Sequence, residues 1–289
     1  MKGIILAGGR GERLFPITRA ISKQLLPVYD KPMIYYPLCT LMRCGIRDIL
    51  VITRPDETER FRELLGDGRQ WGLEIGYARQ DAPRGIAEAP IIASGFLGDA
   101  DFALALGDNI FCGTAFDACL DRAVAAHAGG TVFVKEVPYP ERYGVVAFAD
   151  DGTPASIVEK PSVPPSSMAV MGLYFYDNDA VAIARDLAPS ARGEIEITDV
   201  NNAYIAAHRL SAVTLPDDVA WLDMGTPQGL LDASRLVAAE QENLGVRIGV
   251  PEQVALRSGW IDREQVLGIA DTYGTNDYGR YLRDLAGAG

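Results

Sequence analysis

Short apolar runs alternate with stretches of helical period through the first half of the chain. Residues 3–6 (Gly-Ile-Ile-Leu), 48–53, 73–79 and 102–106 are apolar enough along their whole length to read as buried strands. Residues 33–44, 57–65, 86–96 and 115–128 carry the spacing of helices with one apolar face. Pro32 suits the first position of the 33–44 helix, and Gly45 stands where a terminating glycine belongs. This alternation predicts βαβ units and a mostly parallel sheet. Right-handed crossovers then put a ligand crevice at the carboxyl ends of the strands.

Beyond residue 128 the pattern changes. Strands are expected at 131–137, 144–148, 155–160, 168–176, 211–215 and 220–222, and helices at 179–187, 198–208 and 226–243. Asp150-Asp151-Gly152 marks a hairpin turn between two of these strands. Residues 246–289 read as loops and short helices. The expectation is an α/β, Rossmann-like fold: a mixed, mostly parallel central sheet flanked by helices, a smaller β elaboration, and a C-terminal helical appendage. The main unit is expected over 1–243, its parts at about 1–130 and about 131–225, with the appendage at 244–289.

The first strand breaks into Leu6-Ala7-Gly8-Gly9-Arg10-Gly11-Glu12-Arg13-Leu14. Glycines let a backbone approach a ligand, and successive N–H groups in such a loop form a concave anion site. Arg13 adds a planar fork of donors suited to phosphate, and Lys23 a point charge of the same sign. Together they suggest a cradle for a nucleoside triphosphate; a plain strand-to-helix turn is the bland alternative. Walker A is excluded, because no Gly-Lys-Ser/Thr follows. A dinucleotide motif beginning at Gly9 would end at Leu14, where it needs a small residue, so a dehydrogenase is disfavoured.

Composition narrows the partners. A formal net charge of −12 argues against a nucleic-acid or anionic-membrane surface, so an anionic substrate must be met by local cations or a metal. No apolar run reaches the roughly 18 residues of a membrane span, and Gly-Gly-Arg interrupts any signal-like start, so the cytoplasm is the expected compartment. Cys39, Cys44, Cys112 and Cys119 form no metal spacing and are expected to be reduced and mostly buried. His127 and His208 fall near helix ends and are expected to be solvated or capping. Whatever chemistry occurs should run without histidine.

Further candidates stand at strand ends. Asp108, in Leu-Gly-Asp-Asn, and Asp223, in Trp-Leu-Asp-Met-Gly-Thr, are placed either to hold Mg²⁺ against phosphate or to cap helices, with Thr226 the better-placed cap at the second site. Glu159-Lys160-Pro161 closes a hairpin strand; Glu suits sugar hydroxyls and Lys a phosphate, or the two form an exposed ion pair. Tyr143-Gly144 offers a close backbone approach, and Gln80 an amide able to pair with a base edge, with Pro83 and Gly85 shaping the loop after it.

Gly-Gly-x-Gly-x-Arg-Leu-x-Pro-x-Thr at 8–18, Lys23-Gln24-Leu25-Leu26-Pro27, Leu106-Gly107-Asp108-Asn109, Glu141-Arg142-Tyr143-Gly144, Glu159-Lys160-Pro161, Glu194-Ile195-Glu196-Ile197-Thr198-Asp199-Val200-Asn201 and Trp221-Leu222-Asp223 resemble, in order through nearly the whole chain, the sugar nucleotidyltransferases, and among them the short bacterial type acting on dTTP and glucose 1-phosphate. The resemblance implies that Arg13, Lys23 and Asp108 are catalytic. Leu6, Gly8, Gly9, Gly11, Glu12, Arg13, Lys23, Gln24, Gln80, Pro83, Gly85 and Asp108 would bind the nucleotide. Asn109, Tyr143, Gly144, Glu159, Lys160 and Val170 would bind the sugar phosphate, and Asp108 and Asp223 Mg²⁺. It further implies dTDP-glucose and pyrophosphate as products, the first step towards dTDP-deoxysugars. A homotetramer inhibited at a second site is implied as well, with the appendage serving assembly or regulation. Several positions depart from the family's habit: Glu12, Met171 and Met224 stand where Thr is usual, Arg10 where a small residue is, and Glu88 where Gln is. UTP or another hexose 1-phosphate would keep the same chemistry. A non-catalytic sugar-nucleotide sensor would be expected to have lost one of the two aspartates.

Overall fold

The computed structural model describes residues 1–245 and 247–287; the boundary residue 246 and the last two residues of the predicted C-terminal stretch lie outside the described part. In chain order the strands are β1 (Lys2–Ala7), β2 (Pro27–Val28), β3 (Lys31–Pro32), β4 (Asp48–Thr53), β5 (Glu74–Arg79), β6 (Phe102–Leu106), β7 (Asn109–Cys112), β8 (Gly130–Glu136), β9 (Gly144–Phe148), β10 (Pro154–Glu159), β11 (Met168–Tyr176), β12 (Leu210–Thr214) and β13 (Ala220–Asp223). The helices are α1 (Tyr35–Arg43), α2 (Thr58–Leu65), α3 (Glu88–Ile92), α4 (Ser94–Leu97), α5 (Phe116–Ala125), α6 (Asp179–Asp186), α7 (Ile197–Ala206), α8 (Pro227–Leu244), α9 (Pro251–Arg257), α10 (Arg263–Thr272) and α11 (Asp277–Gly287).

A nine-stranded mixed sheet forms the centre, ordered β10-β9-β11-β6-β1-β4-β5, with β8 on β11 and β12 on β8. β5, β4, β1 and β6 run parallel, as the βαβ pattern requires. β11 enters antiparallel to β6 and β8, and β9 and β10 form the expected hairpin. Ile4, Ile5, Val51, Ile52, Leu104 and Ala105 are buried, which is why these runs lack polar alternation. Among the C-terminal helices α9 packs on α1, with α10 and α11 against α9, and Val250, Ile261, Val266 and Leu282 share one buried cluster with Ile5, Leu38 and Val51.

Several elements differ from the sequence reading. Pro32 is no helix start: it ends a two-residue strand paired with β2, and α1 begins only at Tyr35. Gly45 does follow that helix, with φ +76°. The 86–96 helix is two short pieces, α3 and α4, that meet at Ala93, and Pro90 falls in the first turn of α3, where its missing N–H costs nothing. β7, Asn-Ile-Phe-Cys, gave too short a signal to find, yet it pairs antiparallel with β13. His127 is not solvated: its imidazole is buried, edge-on to Phe175, without a hydrogen-bond partner. His208 is exposed with φ +54°, just past the end of α7, where a terminating residue adopts that conformation. All four cysteines are free, and burial pushes the Cys44 and Cys112 thiols up to about 12, which leaves both unreactive.

Candidate active site

β1 and β6 end side by side, so the glycine loop after Ala7 and the Gly107-Asp108 turn meet at one edge of the sheet. Gly107 must be small, since a Cβ there would sit 2.9 Å from the Gln24 side chain and 3.0 Å from the Leu6 carbonyl. The pairing of β7 with β13 sets Asp223 opposite Asn109, next to Asp108. Two carboxylates more than a hundred positions apart in sequence are thus brought together by a four-residue register.

A cavity of about 500 Å³ opens there. Of the residues singled out in the sequence, Arg13, Asp108, Asn109, Tyr143, Gly144, Glu159, Lys160, Val170 and Asp223 line it. A neighbouring cavity of about 340 Å³ takes in Gly8, Gln80 and Pro83. Leu6, Gly9, Gly11, Glu12, Lys23, Gln24 and Gly85 line neither.

Lys23 is buried and ion-paired with Asp108. Burial raises the Asp108 carboxyl, but the Lys23 charge and hydrogen bonds from Lys23 and Asn109 outweigh it and hold the group below the ordinary carboxylate value. Asp223 goes the other way: burial first, then the neighbouring Asp108 charge, push it up against the pull of Lys23, Arg13 and Arg142. Asn109 Nδ2 donates to Asp108 Oδ1 (3.1 Å) while its Oδ1 accepts from Trp221 Nε1 (2.6 Å), so β13 also fixes the first aspartate's orientation. Across the cavity, Thr198 Oγ1 donates to Glu159 Oε2 (2.7 Å), and Arg192 reaches Glu159 Oε1 at 3.4 Å. Lys160 has φ +44°, unusual for a residue with a Cβ, and its N–H donates to the Tyr143 carbonyl (2.9 Å).

The three glycines of the loop are small for different reasons. A Cβ at Gly8 would meet Gln80 Oε1 at 2.2 Å, so Gly8 is small to seat that glutamine. Gly11 needs its φ of +62° to enter the turn that carries Arg13, whereas Gly9 has open space. Gln80 Nε2 is committed to Glu88 Oε2 (2.8 Å) and, at 3.3 Å, to the Gly85 carbonyl. That leaves only its Oε1 without a hydrogen-bond partner among the described residues, a single acceptor where a paired amide edge was expected. Glu88, a departure from the family's habit, is held between this amide and Arg84. Gly85, with φ +105°, lies against the Ile195 backbone, where a Cβ would be 2.2 Å from the carbonyl oxygen. It ties the Gln80 loop to the segment before α7. Glu12 faces Arg10 at 3.8 Å, both mostly exposed, a surface pair of little energetic weight.

Residues 2–240 match the family described as Nucleotidyl transferase. The chain belongs to this family, among the glucose-1-phosphate thymidylyltransferases. A relative of that name from Neisseria meningitidis is 52% identical over 285 residues, covering 99% of both chains. One from Mycobacterium tuberculosis is 51% identical with the same coverage. Among solved structures, a Bacillus anthracis protein crystallised with sucrose shares 39% identity at a TM-score of 0.75, covering 82% of this chain and 94% of that one. A UDP-glucose pyrophosphorylase complexed with UDP-glucose shares 25% identity at a TM-score of 0.73, covering 83% of this chain and 98% of that one.

Seen as a nucleotidyl transferase, the chain has cavity residues that were not singled out in the sequence. Arg142, Thr198, Asn201 and Trp221 line the main cavity, and Gly225 lies against Arg13. Thr198 and Asn201 lie one helical turn apart on α7, a spacing visible in Ile-Thr-Asp-Val-Asn once that run is known to be a helix. Trp221 gave no such signal, because its part depends on the partner strand β7.

Proposed function

We propose that the protein joins dTTP and glucose 1-phosphate into dTDP-glucose, releasing pyrophosphate. An oxygen of the sugar phosphate attacks the α-phosphorus of dTTP, and the bond to the β-phosphate bridge breaks in line. The nucleophile is ionised near neutral pH, so no general base is needed, in keeping with a cavity that no histidine lines. Arg13 and Lys23 would bind the triphosphate and offset charge at the reacting phosphorus, so that positioning and electrostatics do the catalytic work. Glu159, held by Thr198, would accept from sugar hydroxyls, and Lys160 would hold the phosphate. Gln80 Oε1 would accept from the base, which suits the N3–H of thymine and equally of uracil. The observation that carries this reading is the convergence of Arg13, Asp108, Asp223, Glu159 and Lys160 on one cavity, with Lys23 paired to Asp108.

The donor set fits Mg²⁺. Asp108 and Asp223 are hard oxygen donors, and among the described residues no group of three or more His, Cys, Asp or Glu side chains is placed to hold a metal. Mg²⁺ commonly takes one or two carboxylates and completes its shell with phosphate and water. When bound, it would offset negative charge on the phosphates. We place the reaction in the cytoplasm, a reading supported by four free thiols; no helix among the described residues is long and apolar enough to cross a membrane. We also propose a homotetramer, for which exposed Leu231, Leu244 and Leu267 supply apolar surface. A regulatory site has room in the cavity of about 640 Å³ that Arg43, Arg247 and Arg257 line.

Pyrophosphate release is the test, with each of dTTP, UTP, ATP and GTP against glucose 1-phosphate, with and without Mg²⁺. Release that is fastest with dTTP and lost without the metal supports the proposal. Equal or faster release with UTP would move the base preference, and no release with any nucleotide would leave a sensor. Arg13→Ala should lower turnover by orders of magnitude.

A further inference from the structure

Gly225 stands between Asp223 and Thr226, the residue whose hydroxyl caps α8. A Cβ built on it would lie 2.4 Å from Arg13 Nη2, 2.8 Å from Cζ and 3.2 Å from Nη1. Those are the three nearest atoms, so the guanidinium rests on the bare Cα of Gly225. Among the described residues the Arg13 side chain makes no hydrogen bond or ion pair, yet it lines the cavity beside Asp108 and Asp223. Arg13 is itself exposed, its fork of donors is unspent, and its guanidinium lies against Gly225. The backbone at 225 lies outside the left-handed region, so conformation does not demand glycine there.

We propose that Gly225 is a positioning residue for nucleotidyl transfer: its missing side chain is the seat that aims the Arg13 guanidinium at the triphosphate. The inference rests on the reading of Arg13 given above. An arginine side chain carries about 2 kcal/mol of rotamer entropy, and a fork already seated loses less of it when substrate arrives. An alanine methyl cannot share the space. Carbon against nitrogen at 2.4 Å must open towards ordinary contact near 3.5 Å, a shift of roughly 1 Å. The yielding atoms are the far end of a flexible side chain, so the fold should absorb the change while the guanidinium moves. A misplacement of that size costs about a hundredfold in rate.

The test compares wild type, Gly225→Ala, Arg13→Ala and the double variant in steady-state pyrophosphate release, with a thermal melt of each. Gly225→Ala should lower kcat about a hundredfold, with a melting temperature near that of wild type. The double variant should be no slower than Arg13→Ala alone, because there is no fork left to misplace. Losses that multiply in the double variant, or near-normal kcat in Gly225→Ala beside an impaired Arg13→Ala, overturn the proposal. Normal turnover in Arg13→Ala sinks the role of Arg13 itself, and the proposal with it. If Gly225→Ala melts well below wild type, the same change is made in Arg13→Lys, whose ammonium has no plane to seat. A fold defect would persist there and lower turnover again, against the proposal; a positioning effect would vanish.

Discussion

Replacing Lys23 by alanine should destabilise the protein sharply, and Mg²⁺ should partly restore it. The side chains of Lys23 and Asp108 are only 9% and 17% exposed, so solvent screens the pair poorly. Two unit charges about 4 Å apart interact by about 4 kcal/mol at the effective dielectric that suits protein sites, and removing one member of a buried pair costs about 3–5 kcal/mol. Asp108 would keep the Asn109 hydrogen bond but also the neighbouring Asp223 charge, which makes matters worse. A loss of about 4 kcal/mol corresponds to a melting point lower by roughly 8–16 °C for a chain of this size. Thermal melts of Lys23→Ala, Asp108→Asn and the double variant give the coupling. The double variant should lose clearly less than the sum of the singles, since no carboxylate is stranded. Millimolar Mg²⁺ should raise the melting point of Lys23→Ala more than that of wild type, by taking the cation's place at Asp108. A Lys23→Ala protein that melts within about 2 °C of wild type, or strictly additive losses, would refute the account of the pair.

Other consequences follow from single contacts. Gly85→Ala puts a methyl into the Ile195 backbone at φ +105° and should cost roughly 2–4 kcal/mol, weakening substrate binding as well because the Gln80 loop loses its tie; an unchanged melt would contradict this. Glu252 is buried on α9, accepting from the Tyr278 hydroxyl, and burial raises its carboxyl above the ordinary value. A raised carboxyl favours the folded state while protonated, so its contribution is complete below the unfolded-state value near 4.5 and is lost as pH rises through the folded-state value. Glu252→Gln should therefore be more stable than wild type at pH 7, by a margin that shrinks as pH falls towards 5; melts across that range with a constant difference would refute it.

The parts of the site legible in the sequence were those announced by their own neighbours. Asp108 follows an apolar strand, Lys160 precedes a proline, and Arg13 follows a glycine turn; each was readable because local backbone geometry exposes the residue after a strand. The parts that were not legible depend on a second segment. Nothing near Asp223 says that it pairs across from Asn109, because the four residues of β7 carry no period of their own. Gly8 reads as part of an anion cradle and Gly85 as shaping a loop, and Gly225 gives no signal of its own, yet each is small to admit something distant: the Gln80 amide, the Ile195 backbone and the Arg13 guanidinium. His127 was misplaced for the same reason, since only β11 supplies the Phe175 ring that covers it.

That division bears on how the site is assembled. The segment that follows β1 carries the two cations, and Asp108 stands just past the end of β6. The second carboxylate, the tryptophan that steers Asn109 and the glycine under Arg13 all lie on the short run from β13 into α8. That run joins the site through one four-residue pairing and through contacts with side chains rather than through the main sheet. A perturbation of β13 should therefore move Asp223 and Arg13 together and, through Trp221 and Asn109, loosen the hold on Asp108, with Lys23 as its remaining partner. The two aspartates differ accordingly: one is neutralised in place by lysine, and the other is left raised, with no ion-pair partner at contact distance among the described residues, beside an arginine that is itself unspent.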